Sequence, residues 1–486
     1  MDGAAPSIWR RNAQKRYTTR QIAGARGNHA NFKQYRRGTF VNIPTEEKFL
    51  IIGAGPTGLA MARQLLLANR PYDHVEASTR IGGNWAHGVH DAVRLVSPRR
   101  TTGFPEFPMG RAYPRFPYGT DMFRYLNAYA DHFSLRERIQ ISMKVLYVGP
   151  AEGERWNVHF ANGHRAVYKG VLICNGHHWD RRWPEIPGTF TGELLHAKDY
   201  KAADQLAGKR VLVIGGGNSA CDIASAAAEC GTCAHMSLRR GYWFMPRTLW
   251  GIPSAAFVTP WLSIANQRKV LRLLLRLYWG RYENYGLPHP DHDVFDHHIT
   301  VNSSVLPLMR QGNVQPKGAV ARFEGNTVHF EDGSSLDYDL VVCATGYHVS
   351  VPFLQPGIFE TRGPVAQLYG GAVPEGYRHL YIMATSQVRS GVGSVLAPYV
   401  EHVRMLIDVQ DSIPLPLGTV LRALGERTPS THILDPHLAI RKMRAARETL
   451  PGVVRKHAQK LAAEGVSGRH IAADPPTILD HEMVVN

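Results

Sequence analysis

The chain has 486 residues, 44% of them hydrophobic and 20% charged, which exceeds one typical core and matches an ordinary globular enzyme of two or three domains. Five scattered cysteines (Cys174, Cys221, Cys230, Cys233 and Cys343) exclude a secreted disulfide framework, and no run of about eighteen apolar residues marks a transmembrane helix. The formal net charge of +16 admits nucleic-acid or anionic-membrane binding, yet much of it is local.

That local charge comes first in the chain. Residues 1–45 form a basic extension, with Arg10, Arg11, Lys15, Arg16, Arg20 and their neighbours facing the single acid Asp2 over the first forty positions. The segment lacks an apolar core, so it reads as a surface-draped arm and not a secretory signal. A cytoplasmic location follows from the reducing cysteine pattern, with organelle targeting by the arm left open.

The first ordered unit is KFLIIGAGPTGLAMARQLLLANRPYDHVEAS. Phe49 to Ile52 suit a buried parallel strand, Gly53, Gly55, Pro56 and Gly58 stand in a GxGxxG turn, and Leu59 to Ala68 continue with helical spacing. The glycines allow a tight turn, close approach of a pyrophosphate and close strand–helix packing. The following strand ends at Glu76, about twenty residues on, where a carboxylate accepts from the ribose hydroxyls of an unphosphorylated adenosine. These residues point to FAD.

The strand Gly170 to Ile173 ends in Cys174-Asn175-Gly176 and begins a crossing. It is followed by FTGELLHAKDYK, Phe190 to Lys201, in which Gly192 suits a tight turn and His196 and Tyr200 suit packing or hydrogen-bonding anchors between two units. A second glycine unit, VLVIGGGNSACDIA, places Gly215, Gly217 and Ala220 in a GxGxxA turn. The next strand ends in Arg239 and Arg240 where the first unit has Glu76, and two guanidinium groups suit the extra phosphate of NADPH. Cys230 and Cys233 make a CxxC at the rim of this unit, a place better suited to helix ending and strand entry than to redox exchange. The histidine pairs His177-His178 and His297-His298 show no ordered metal spacing, so no metal is expected. Arg268 to Tyr278 read as a basic, apolar helix, favoured to pack over an entrance or at a subunit contact, with grazing contact to a membrane as the alternative. A strand at Leu340 to Ala344 ends in Thr345-Gly346, a second crossing, and helices with a polar tail follow Pro414.

The order is one dinucleotide unit, a crossing, a second unit and a crossing back, which predicts an α/β fold of two Rossmann-like dinucleotide-binding domains with the smaller NADPH domain inserted into the FAD domain. The expected boundaries are 46–195 and 331–425 for the FAD domain, 196–330 for the NADPH domain and 426–486 for a C-terminal helical segment. Adjacent flavin and nicotinamide sites argue for a flavin oxidoreductase.

FTGELLHAKDYK fits F-x-G-x-x-x-H-x-x-x-Y/F-K, and with GAGPTGL, RIGGNW, GGGNSACDIA, SLRRG and CATGY in that order the chain resembles the class B flavin-containing monooxygenases over residues 46 to 410. Tyr200, where the Baeyer–Villiger relatives usually carry Trp, leans the match toward the heteroatom-oxidising branch. The resemblance implies that NADPH reduces FAD, that the reduced flavin captures dioxygen as a flavin hydroperoxide, and that one oxygen atom passes to a small amine or sulfide. It implies FAD contacts from Gly53, Gly55, Pro56, Gly58, Glu76, Gly83, Asn84, Trp85 and Val145. NADPH contacts are implied for Gly215, Gly217, Asn218, Ser219, Asp222, Arg239 and Arg240, with Gln387 closing over the flavin ring. Family members often carry an asparagine shortly after GG-x-W, whereas VRLVSPRRTTGFPEFP places Ser97 in that slot. Ser97, His196 and Tyr200 are therefore the candidate residues nearest the chemistry. A Baeyer–Villiger oxidation of ketones or aldehydes, and a basic protein that binds nucleic acid or membranes on a flavoprotein scaffold, stand as the alternatives; no nucleic-acid partner is expected, and a homodimer is left open.

Overall fold

The computed structural model describes residues 43–389 and 391–466. Residues 1–42 of the basic arm and the last part of the C-terminal tail thus lie outside the described residues. Two five-stranded sheets organise the rest, and every strand pairing within them is parallel. The first has the spatial order Leu380–Ile382, Gly170–Ile173, Phe49–Ile52, Tyr72–Val75, Ile139–Gln140. The second has the order Glu193–His196, Leu340–Cys343, Arg210–Ile214, Cys233–Ser237, Gln315–Lys317. All five strands of the second sheet fall in the chain between Gly170–Ile173 and Leu380–Ile382, so one sheet is inserted into the other.

The central strands are apolar on both faces because both faces are covered. Phe49–Ile52, Gly170–Ile173 and Leu340–Cys343 are buried at every position. One face of the first sheet packs on the helices Pro56–Leu67, Gly119–His132 and Gly393–Asp411, through Leu59, Met61, Tyr125, Tyr129, Val403 and Leu406. The long helix Pro436–Ala463 runs against Gly393–Asp411 and adds Val454 and Ala458 to the same core. The other face is covered by an antiparallel sheet of Val145–Ala151, Arg155–Phe160 and Arg165–Tyr168. The second sheet has its own core of Val211, Val213, Ile223, Met236, Leu271 and Val342.

The strand pairing moves the boundaries expected from sequence. Residues 195 and 196 lie inside Glu193–His196, and Leu340–Cys343, expected in the FAD unit, is hydrogen-bonded between Glu193–His196 and Arg210–Ile214. Local composition cannot place these strands, because a short buried strand reads alike in either sheet and only its partners assign it. The two crossings themselves follow the strand-to-glycine turns at Gly176 and Gly346. The expected turn in FEDGSS joins the antiparallel strands Thr327–Phe330 and Ser335–Asp337.

Candidate functional site

Each sheet ends in a bare-backbone loop at the carboxyl edge of a central strand, where ligands bind in open α/β folds. In the first, Gly53 has φ +101°, and a Cβ at Gly58 would sit 1.9 Å from the Gly53 carbonyl oxygen, so neither position admits a side chain without moving backbone. Pro56 opens the helix Pro56–Leu67, whose N-cap Gly55 offers no capping side chain. The amides of this first turn are left for an external acceptor. The RIGGNW segment closes over them: Gly82 N–H donates to the Ala54 carbonyl at 2.9 Å, and Gly83 stands against Gly55 backbone to backbone. Asn84 and Trp85 are thereby carried to the loop.

Glu76 terminates the strand Tyr72–Val75 and is buried. Its carboxylate accepts from the Ala54 N–H at 2.7 Å and the Ser78 N–H at 2.8 Å, one bond to each oxygen. Each oxygen keeps a free lone pair, which is the capacity a ribose diol needs. His74 behind it donates Nε2–H to the Gly53 carbonyl at 3.0 Å, and burial lowers its pKa to about 4, so it stays neutral and pins the loop. Val145 starts the adjoining strand, directly after Met143 bonds the Glu76 carbonyl.

The second loop repeats the geometry. Gly215 has φ +131°, Gly217 caps the helix Asn218–Cys230 without a side-chain bond, and the space a Cβ would take at Gly217 is open. Ser219 is exposed in the first turn, while Asn218 turns its oxygen to the Val301 N–H at 2.7 Å. Asp222 lies one turn deeper, where desolvation raises its pKa to about 6; Asn302 donates to it at 2.9 Å. His90 from the first unit stands 3.8 Å from Asp222, but burial lowers that histidine to about 4, so the contact is not an ion pair.

The arginines divide. Arg239 is exposed. Arg240 donates from Nη1 to His297 Nε2 at 2.9 Å and lies 5.4 Å from the Tyr242 ring centre. His297 accepts because desolvation, then the Arg240 charge, lowers its pKa. The Arg240 Nε is buried without a hydrogen-bond partner. Cys230 and Cys233 point apart in their bonding: one thiol donates to the Ala226 carbonyl, the other meets His235 at 3.3 Å.

FTGELLHAKDYK is the tie between the two loops. Its strand Glu193–His196 pairs with Leu340–Cys343, and a Cβ at Gly192 would meet the Phe190 ring and the Asp339 carbonyl. His196 is fully buried; its Nδ1 accepts from the Lys198 N–H at 3.1 Å, which leaves Nε2–H to donate to the Gly346 carbonyl at 3.1 Å. Both ring nitrogens are thus spent on backbone. Lys198 reaches across to Asn84 Oδ1 at 2.5 Å, and desolvation followed by the charge of Lys201 lowers its pKa to about 8. Lys201 donates to the His87 carbonyl at 3.1 Å, and Tyr200 is buried with its ring 5.4 Å from that of His90.

Ser97 lines a cavity of about 60 Å³ where three chain segments meet: Val96, Met245, Val258, Phe295, His298, Arg389 and Ile433 share it. A larger cavity of about 260 Å³ is bounded by residues 349–361 alone and touches none of the loops described above. The Ser97 hydroxyl shares a hydrogen bond with Thr102 Oγ1 at 2.7 Å, in which either oxygen can donate, and Thr102 Oγ1 also lies 3.0 Å from the Pro98 carbonyl and 3.2 Å from that of Ser97. With a single proton, the Ser97 hydroxyl cannot match the paired donor and acceptor of an amide. Gln387 sits at the rim, its amide 3.3 Å from His178 Nε2. Lys198 and Arg389 were not singled out from sequence, and His178 was read only as half of a histidine pair without metal spacing. Lys198 occupies a variable position of its pattern, and Arg389 carries no local signal.

A family profile described as flavin-binding monooxygenase-like matches residues 46–409. The chain is 31% identical over 343 residues to a probable indole-3-pyruvate monooxygenase of Arabidopsis thaliana, YUCCA9, covering 67% of this chain and 80% of that protein. It is 30% identical over 357 residues to flavin-containing monooxygenase 5 of Oryctolagus cuniculus, covering 68% and 67%. Among solved structures, an oxidised steroid monooxygenase bound to NADP shares the fold with a TM-score of 0.63 at 17% identity, covering 87% of this chain and 99% of that one.

Proposed function

The chain belongs to the flavin-binding monooxygenase-like family, and from that premise we propose that it is an NADPH- and FAD-dependent monooxygenase that places one oxygen atom of dioxygen on a small organic substrate, at a soft nitrogen or sulfur. The observation that carries the reading is the pairing of two glycine loops, one backed by the Glu76 carboxylate and one by Arg239 and Arg240, on two sheets joined at FTGELLHAKDYK. The first sheet with its antiparallel cover and the helices after Gly393 forms the FAD-binding domain in this reading, and the strands between Glu193 and Cys343 form the inserted NADPH-binding domain.

The residues present fit both cofactors. Gly53, Gly55, Pro56 and Gly58 leave backbone amides bare for a pyrophosphate, and Glu76 keeps two lone pairs for a ribose; Gly83, Asn84, Trp85 and Val145 border that site. Gly215, Gly217, Asn218, Ser219 and Asp222 do the same for the nicotinamide dinucleotide, with Arg239 and Arg240 for its extra phosphate. The flavin, when bound, supplies the electron transfer and the oxygen activation. The protein's part is to bind, orient and exclude water. His196 and Tyr200 position the crossing and Lys198 holds Asn84, so the two loops keep a fixed separation. Gln387 and His178 close the rim, while Ser97, Phe295 and His298 shape the substrate cavity.

A second reading, oxidation at a carbonyl carbon, is favoured by the likeness to a protein named for indole-3-pyruvate. One experiment separates them: NADPH consumption with matched amines, sulfides, ketones and 2-oxo acids, with products identified by mass. An N-oxide or sulfoxide as main product supports the first reading. An ester or a decarboxylated acid replaces it with the second. NADPH oxidation without any oxygenated product removes both.

A further inference from the structure

The helix Ile264–Trp279, IANQRKVLRLLLRLYW, is apolar on two faces. Its inner face is accounted for: Leu271, Leu275 and Trp279 are buried, and Gln267 donates to the Thr259 and Leu262 carbonyls at 2.8 Å each. A surface helix ordinarily turns charged or polar residues outward. Here Val270, Leu273 and Leu277, spaced by three and four residues, form an outward stripe with exposures of 40%, 59% and 66%. The stripe continues past both ends. Trp261 and Leu262 precede the helix, the tryptophan 89% exposed. At the other end Trp250 packs edge-on against Tyr278 with ring centres 5.6 Å apart. Sixteen helical residues span about 24 Å, so this is one continuous apolar strip and not scattered exposure.

The charges on the helix itself have one sign. Arg268 and Arg272 are met by Asp293 and Asp296 on the neighbouring loop. Lys269, Arg276 and Arg281 have no carboxylate within ion-pair distance among the described residues, and the helix itself contains no acid. A helix long and apolar enough to cross a membrane is absent among the described residues. Leucines in the centre, tryptophans at both ends and unpaired cations alongside match an element that lies in the headgroup plane. A second copy docking through the same face about a two-fold axis would bring those cations against themselves.

We propose that the outer face of Ile264–Trp279, with Trp250 and Trp261, is a binding surface for an anionic phospholipid bilayer. Met245, Val258 and Phe295, which flank this helix in the chain and share a core with its Leu271 and Leu275, line the cavity wall, so lipid contact and the cavity share one structural unit.

Co-sedimentation of the full-length holoprotein with phosphatidylcholine vesicles, with and without phosphatidylglycerol, tests this. Binding to the anionic vesicles is expected, and binding to the neutral ones is expected to be much weaker. Leu273→Glu/Leu277→Glu should lower the partition coefficient by about 100-fold through lost apolar burial. Lys269→Ser/Arg276→Ser/Arg281→Ser should lower it by about 100-fold on anionic vesicles only. Unfolding midpoints equal to the parent's confirm that both variants are folded. Absence of parent binding overturns the proposal, as does unchanged binding by the leucine variant, which assigns lipid contact to another surface such as the basic residues 1–42. A dimer seen by light scattering and dissociated by Leu273→Glu/Leu277→Glu also overturns it, in favour of self-association.

Discussion

Replacing His196 with alanine removes a group whose two nitrogens both serve the crossing between the sheets. The side chain is fully buried, so the Lys198 N–H and the Gly346 carbonyl lose partners that water cannot readily replace. Each orphaned buried group costs about 1–3 kcal/mol, and the space left by the ring adds to that, for a total of about 3–5 kcal/mol. The loss falls on the second sheet and the joint, since nothing in the Gly53–Gly58 loop or around Glu76 touches His196. Flavin should therefore stay bound, while the Lys198 tether to Asn84 loosens and more NADPH is consumed per oxygenated product. The assay has three parts: flavin absorbance after gel filtration, the denaturation midpoint, and the ratio of NADPH oxidised to product formed. His196→Asn is the control. An asparagine oxygen reaches the N–H two residues on, so it restores one of the two bonds and about half of the stability. A His196→Ala protein that loses its flavin, or that melts with the parent and remains coupled, would refute the anchor.

Arg239→Ala and Arg240→Ala should each raise the KM for NADPH about tenfold with little change for NADH, and equal effects on both nucleotides would remove the phosphate clamp. Because a serine hydroxyl has one proton and cannot reproduce an amide's paired donor and acceptor, the parent should release hydrogen peroxide during turnover, and Ser97→Asn, which brings an amide, should release less; an already tightly coupled parent contradicts this. Stability should be level between about pH 6.5 and 7.5 and fall as the pH drops toward 4. His74, His235 and His402 are each lowered by burial to about 4 from an ordinary 6.5, so the unfolded chain binds protons in that window before the fold does. A flat midpoint from pH 7 to pH 4.5 would show that these histidines titrate normally in the fold.

The two glycine loops were legible in the chain because their constraint is local. Gly53 and Gly215 sit at left-handed φ and Gly58 faces a carbonyl, so the backbone itself dictates the residue type. Glu76 and the arginine pair were legible for a related reason: a strand of fixed rise carries its last residue to the loop edge. The helices Pro56–Leu67 and Asn218–Cys230 could be read from their spacing, to within a few residues at each end. Those features, with the order of the motifs, determined the cofactors and the family.

Only the tertiary structure decided which groups are already committed. Arg240 is paired with His297 fifty-seven positions away. Lys198 meets Asn84 across the crossing, and Leu340–Cys343 sits between two strands of the second sheet, not the first. Ser97 looked like a free hydroxyl in the sequence and proved to be paired with Thr102. The reason is physical: a turn or strand end is specified by the residues that form it, whereas a hydrogen bond between distant segments depends on how whole layers pack. The outward leucines of Ile264–Trp279 obey the same division, since the sequence showed an apolar, basic helix and only packing revealed which of its faces was left without a partner.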